Sequence, residues 1–182
     1  EFRAKGPKAK EFMQYVTVND VAALEDGQVQ YTCLPNGKGG IVDDMLVYRV
    51  ADDHYFMVPN AANIDKDWKW MSKIAEEMGL KVGEEFVNES EQWAQLAVQG
   101  PNALKAMQKL TEANVVDMKY YTFQIITFAG IENIIFSTTG YTGAGGCEIY
   151  MPAKYAKNVW DAVFEAGKEF GIKPAGLGCR DT

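Results

Sequence analysis

Histidine is almost absent: the 182 residues hold one, His54, in the polar stretch ADDHY. A multi-histidine metal centre is therefore excluded. A Ser-His-Asp or Cys-His nucleophilic site would have to use that single residue, which reads as surface. Cysteine is sparse as well. Cys33, Cys147 and Cys179 lie far apart without CxxC or ligand spacing, so neither a structural zinc nor a disulfide framework is expected, and a reducing compartment fits. Lys and Arg number 18 against 25 Asp and Glu, a formal charge of −7, and they form no basic stripe. This argues against sequence-independent nucleic-acid binding, which depends on clustered cations displacing counterions from phosphates, and no nucleic-acid partner is expected. No apolar run is long enough to span a bilayer and no signal sequence opens the chain, which predicts a soluble protein with no membrane partner. Walker lysine, GxGxxG and EF-hand spacing are missing, so no nucleotide and no metal are expected. The pairs Asp52-Asp53 and Glu84-Glu85 read as solvated faces.

What is present is a globular composition, 47% hydrophobic, sufficient for one sizeable core or two small lobes. FRAKGPKAKEFMQ near the start resembles LAVQGPNALKAMQ near residue 100, and each copy predicts strand, Gly-Pro, helix, with proline at the first helical position. VQYTCLP and residues 41–50 alternate around Asn36-Gly37 and predict a hairpin. A short strand at residues 55–58 stops at Pro59-Asn60. Ile64, Trp68, Met71, Ile74 and Met78 recur at helical spacing between a capping Asn63 and Gly79. Strands are predicted in LKVGEEFVN, in QLAVQ and in residues 121–130 and 131–138. A helix over 153–170 places Tyr155, Val159, Val163 and Phe164 on one face and ends at Gly171. Strands and helices do not alternate regularly, so the expected class is α+β, with duplicated strand-Gly-Pro-helix units around mostly antiparallel sheets.

Two stretches carry candidate chemistry. GGIVDDMLVYRV, residues 39–50, places Asp43 and Asp44 side by side in an apolar strand, where an unpaired charge is costly. Adjacent strand residues face opposite ways, so at most one of the two enters an interior, and alternation permits either. GYTGAGGCEIYMP, residues 140–152, has a glycine turn that runs into a strand, not a helix N-terminus, which rules out a phosphate cradle. Its alternation sets Glu148 on the side of Tyr150. Arg180, in GLGCRDT, and the tyrosines complete the candidates.

Together GGIVDDMLVY, TTGYTGAGGCEIY and GLGCRDT, with EFRAKGP, YTCLPNGKGG, VPNAANIDKD and LAVQGPNA in order, resemble the T-protein family of the glycine cleavage system, tetrahydrofolate-dependent aminomethyltransferases. The resemblance covers essentially the whole chain. It implies a folate-binding region of residues 1–182, two interleaved lobes of a larger protein whose N-terminal segment and C-terminal barrel domain are missing. Such a fragment is expected not to turn over alone. The family's catalytic aspartate falls at Asp44. Its folate-contacting residues fall at Glu148 and Arg180, and the aromatic lining of its folate cavity at Tyr31, Tyr48, Tyr121 and Tyr141. The implied partners are tetrahydrofolate and a lipoylated H-protein, in bacterial cytoplasm before mitochondrial matrix. Tyr48 lies four residues beyond Asp44, on the same strand face, so Asp44 is expected inward on the folate with Asp43 outward. Ala144 stands where the family usually has an acid, and Pro59 where it has an aliphatic residue. Two alternatives belong to the same module: the folate domain of a sarcosine- or dimethylglycine-oxidising enzyme, and a non-enzymatic folate protein whose Lys-Gly-Cys motif Cys179 does not match.

Overall fold

The computed structural model describes residues 1–176 and 178. The chain is α+β and divides into two compact units. The first comprises Glu1–Trp93 with Tyr121–Phe123, the second Ala94–Tyr120 with the described residues from Gln124 on.

In the first unit five strands, β1 (Phe2–Lys5), β2 (Val29–Pro35), β3 (Ile41–Ala51), β4 (His54–Pro59) and β5 (Phe86–Asn88), form one antiparallel sheet in the order β2-β3-β4-β1-β5. The β2–β3 hairpin forms as expected, but its turn is not a two-residue Asn-Gly connection. Residues 36–40 make the loop. Asn36 Oδ1 accepts the N–H groups of Lys38 and Gly40 at 2.8 and 3.1 Å, so its side chain does the turning that a tight backbone turn would otherwise do. Tyr121–Phe123 joins this unit by two bonds to the start of β2, Val29 N–H to Tyr121 C=O at 2.9 Å and Phe123 N–H to Gly27 C=O at 2.8 Å.

One face of the sheet carries Leu34, Met45, Val47, Tyr55, Met57 and Phe2, and the helices α1 (Ala9–Val16) and α2 (Ile64–Glu77) cover it with Phe12, Met13, Val16, Met71 and Ala75, all buried. The aromatic stripe predicted on α2 is core packing. Trp68 stacks on Phe86 at 4.6 Å and meets Phe2 at 5.3 Å. Helix α2 stops where Gly79 takes φ 78°. Leu80 N–H reaches Ala75 C=O and Gly79 N–H reaches Glu76 C=O, a paired closure that satisfies two terminal carbonyls. The strand expected over residues 80–88 shrinks to β5, because Gly83, at φ 90°, turns the chain ahead of Phe86.

His54 is not the surface loop residue that its polar neighbours predict. It opens β4, half-buried, with Nε2 2.6 Å from Arg3 Nη1. Arg3 is permanently charged, so Nε2 must accept and the imidazole is neutral. Burial first, and the Arg3 charge second, lower its pKa from the ordinary 6.5. The unfolded chain therefore binds this proton at a higher pH than the folded one, and stability is lost as pH falls through 6.5 toward the native value. The stability of the unsubstituted protein relative to its His54→Gln variant should decline from about pH 7.5 to about pH 5 in urea titrations. A constant difference would reject the neutral pairing.

The strands β6 (Trp93–Gln99), β7 (Phe123–Phe128), β8 (Ile131–Ser137) and β9 (Gly146–Pro152), which belong to the second unit but for the first residues of β6 and β7, form a sheet in the order β6-β9-β8-β7, with β8 and β9 antiparallel. Ala129 and Gly130, both at positive φ, connect β7 to β8 in the manner of a tight hairpin turn. Helices α3 (Ala103–Met107) and α4 (Ala156–Gly167) complete the unit, burying Met107, Val159 and Val163 against Phe128, Ile134, Phe136 and Ile149. The helix predicted over 153–170 is α4 with a tighter single turn at each end, closed by Gly171 at φ 71°.

The internal repeat is structural, with one copy in each unit. After β1, Gly6 takes φ 114° and its carbonyl accepts Ala9 N–H at 2.9 Å. After β6, Gly100 takes φ 124° and accepts Ala103 N–H at 3.1 Å. Both helices begin two residues beyond the proline, at Ala9 and Ala103, so Pro7 and Pro101 shape the turn ahead of the helix and are not its first residue.

Candidate functional site

Asp44 sits on β3 opposite Cys33 of β2, with Tyr31 diagonal to it across the strand pair. Tyr31 donates its hydroxyl to Asp44 Oδ2 at 2.6 Å, and Asn60, just past the end of β4, donates Nδ2 to Oδ1 at 2.8 Å. Each carboxylate oxygen thus has one protein donor and retains a lone pair, a geometry that fixes the group while leaving it able to accept from a ligand. Tyr31 is 50% exposed, so this end of the sheet is reachable from water.

Asp43 is not turned outward. It shares the face of Met45 and Val47, the face covered by α1 and α2, and its side chain is 10% exposed. Its Oδ1 accepts Asp44 N–H at 2.8 Å and Asn60 Nδ2 at 3.0 Å. Burial opposes its charge, but the Asp44 amide and the Asp67, Asn60 and Asn63 side chains outweigh burial and hold its pKa below the ordinary value. Lys66 Nζ lies 3.4 Å from Oδ2 and donates to Val42 C=O at 2.6 Å. Asp43 thus turns to the helix-covered face and Asp44 to the opposite one, at the end where Tyr31 is exposed.

Tyr48 does lie on the Asp44 face, as the four-residue spacing requires, but its ring is fully buried. It packs edge-on against Phe56 at 5.8 Å and Phe123 at 5.3 Å. Tyr121 is half-buried and takes φ 62°, left-handed backbone that a residue with a Cβ rarely adopts. The adjoining carbonyl, which accepts Val29 N–H, holds it there.

Glu148 lies on β9 opposite Ser137 of β8. As the alternation predicts, it faces the side of Tyr150, whose hydroxyl donates to Oε2 at 3.2 Å. Thr139 also donates to Oε2, and Gln95 Nε2 donates to Oε1 at 2.9 Å. Three neutral donors orient this carboxylate, and none of them is a cation. The glycine turn leading into β9 is required by packing. At Gly146, φ is 140°, and a Cβ there would come within 2.5 Å of Val98 O and 2.7 Å of Gln99 Cα. Tyr141, in the same turn, is 81% exposed. Arg180 lies outside the described residues.

Several partners escape the sequence reading. Asn60 looks like a strand terminator, and Gln95 and Thr139 look like ordinary strand and loop polars. Asp67 escapes it too, although its place three residues after Ile64 and four before Met71, on the apolar stripe of α2 where it is 0% exposed, is the signal that could have found it.

The GCVT N-terminal domain model matches residues 1–182. Proteins named aminomethyltransferase from Bacteroides fragilis and Bacteroides thetaiotaomicron are 57% and 56% identical over the whole chain. The chain spans about half the length of the curated relatives it matches, 49% of each of these. The crystal structure of glycine cleavage system aminomethyltransferase T from Bartonella henselae is similar with a TM-score of 0.80 at 28% identity, over 99% of this chain and 46% of that one. Heterotetrameric sarcosine oxidase from Corynebacterium sp. U-96 shares the fold, with a TM-score of 0.63 at 15% identity over 96% of this chain and 82% of its own. With its full length matched by the family model and its relatives alike in name, the chain belongs to the GCVT N-terminal domain family of aminomethyltransferases.

Proposed function

We propose that this chain is the folate-binding part of a glycine cleavage aminomethyltransferase, which moves the methylene of an aminomethyl group on the lipoyl arm of H-protein to tetrahydrofolate and releases ammonia. The observation that carries this reading is the Asp44 carboxylate, held by Tyr31 and Asn60 with lone pairs to spare on a reachable sheet end. In the reaction the methylene carbon gives up its bonds to the amine nitrogen and to the arm sulfur and forms bonds to two folate nitrogens. The two protons lost from those nitrogens leave on ammonia and on the thiol, so no oxidant is needed. Positive charge develops on nitrogen as the amine departs, and a fixed carboxylate beside it lowers that barrier. Asp44 is assigned that role, with proton relay as its second capacity.

Glu148 is assigned to the amino and ring N–H donors of a pterin. A carboxylate already oriented by three neutral donors keeps its negative charge for such a pair. Tyr31 and Tyr141, exposed, are assigned to ring contact with the folate, and Tyr121 to the same lining. Tyr48, fully buried, supports the Asp44 face from behind. Arg180 is assigned to a carboxylate by its fork of donors.

The test is ammonia release from aminomethyl-loaded H-protein by the full-length protein, with and without tetrahydrofolate. Release that needs both partners is expected. Release at the same rate without tetrahydrofolate, or none with it, overturns the assignment.

A further inference from the structure

We propose that Asp67 carries a proton which it donates to Asp43, and that this acid–carboxylate pair acts through Asn60 as the positioning device for Asp44. The proposal rests on the reading of Asp44 as the catalytic carboxylate. It concerns Asp43, Asp67 and Asn60, the residues that hold that group in place.

Three carboxyl groups, Asp43, Asp44 and Asp67, gather where β3 meets the first turn of α2, and among the described residues Lys66 is the cation that pairs with them. Lys66 Nζ is directed to Val42 C=O and stands 3.8 Å from Asp67 Oδ1, too far for a hydrogen bond. Asp67 has no exposed surface. Among the described residues, both of its oxygens and Asp43 Oδ2 are buried without a hydrogen-bond donor while all carboxyls are ionised. Asp67's two oxygens lack a donor and Asp43 Oδ2 has only the Lys66 ion pair at 3.4 Å, an expensive state for two buried carboxyls that interact side chain to side chain. One proton between the two carboxyls changes the count, because a single O–H···O bond gives Asp67 a role and Asp43 Oδ2 a donor.

Asp67 is the partner that keeps the proton. The first turn of α2 favours a negative charge there, but burial is the larger effect. Burial, then the hydrogen bond with Asp43 and the Asp43 charge, push the Asp67 carboxyl up to about 7. Asp43 stays ionised through the N–H and amide donors it already has. The charged groups facing Asp67 are Asp43 and Asp44 from β3 and Lys66 from its own helix. The other elements packed on α2 bring apolar side chains to the shared core, Phe12 and Met13 from α1 and Phe86 from β5.

The link to Asp44 is geometric. Asn60 Nδ2 bridges Asp43 Oδ1 at 3.0 Å, Asp44 Oδ1 at 2.8 Å and Asp44 C=O at 3.2 Å, and the Asp44 amide bonds Asp43 Oδ1. A singly charged Asp43, anchored from behind by the Asp67 proton, therefore fixes both the backbone and the carboxylate of Asp44. Loss of that proton would put a second negative charge against Asp43 and loosen the bridge.

The decisive experiment uses the full-length protein and needs no turnover. With 13C-labelled aspartate, one carboxyl is expected to remain protonated at about pH 5.5, where free aspartate is ionised. That signal should vanish in Asp67→Asn and move back to the ordinary range in Asp43→Asn, whose amide donates to Asp67 and removes the facing charge. Asp67→Asn keeps a donor toward Asp43 but cannot ionise. The raised acid makes the unsubstituted protein lose stability between 3.8 and about 7, so the melting temperature of the variant relative to it should rise with pH across that window and then level. All aspartates ionised at pH 5.5, or a difference in melting temperature independent of pH, overturns the proposal. In the transfer assay Asp67→Ala and Asn60→Ala should each lower kcat about tenfold with KM little changed, and Asp67→Asn should recover most of the loss. A fall in KM-dependent binding alone, without rescue by Asn, overturns the positioning role. If the unsubstituted protein transfers nothing, the assigned reaction fails while the carboxyl titration still decides the proton.

Discussion

Asp44→Asn in the full-length protein is expected to reduce aminomethyl transfer by about 100-fold or more while leaving tetrahydrofolate binding nearly unchanged. The substitution preserves shape. Its amide oxygen can still accept from Asn60, and its amide nitrogen can donate to the Tyr31 hydroxyl, which accepts as readily as it donates. What disappears is the negative charge and the ability to take up a proton. Both matter only as positive charge grows on nitrogen, so the loss should fall on kcat, with KM and the calorimetric dissociation constant within a few-fold. Turnover within twofold of the unsubstituted protein would remove Asp44 from the chemistry. Equal losses in binding and rate would make it a binding group only.

The second large effect concerns stability. Gly146→Ala is expected to destabilise the second unit by about 3 kcal/mol or more. At φ 140° a residue with a Cβ is strained whatever the space, and here the new atom would press on backbone atoms of β6, at 2.5 Å from Val98 O. Backbone in a paired strand cannot swing aside as a side chain can. Gly143, in the same turn, has φ 66° and an empty neighbourhood for a Cβ, so Gly143→Ala should cost only about 1 kcal/mol. Urea unfolding of the two variants checks the contrast. Equal costs would show that β6 yields.

The elements with clean periodicity were readable in the sequence. Helix α2 showed its 3.6-residue stripe, and β2, β3 and β9 their alternation, while the Gly-Pro repeat marked two equivalent corners. The orientation of the acid pair was harder. Alternation requires Asp43 and Asp44 to part company, but it does not say which face the helices cover: Asp43 shares the face under α1 and α2, and Asp44 shares the face of Tyr48 and Phe56, at an end where Tyr31 is exposed. Asn60 and Gln95 could not be found by pattern, because their roles depend on which strand ends lie side by side, a long-range property of the register. His54 misled for the same reason: its neighbours in sequence are polar, but its neighbour in space is Arg3 of β1.

The return of Tyr121–Phe123 to the first unit bears on how this chain can be divided. A gene segment cut after Trp93 would encode an incomplete body. It would lack the carbonyl that Val29 N–H bonds, the N–H that Gly27 C=O accepts, and the Phe123 ring that closes over Tyr48. The polypeptide boundary and the physical boundary do not coincide, so the smallest piece able to present Asp44 in its native setting runs at least to residue 123, carrying residues 94–120 with it as an inserted passage.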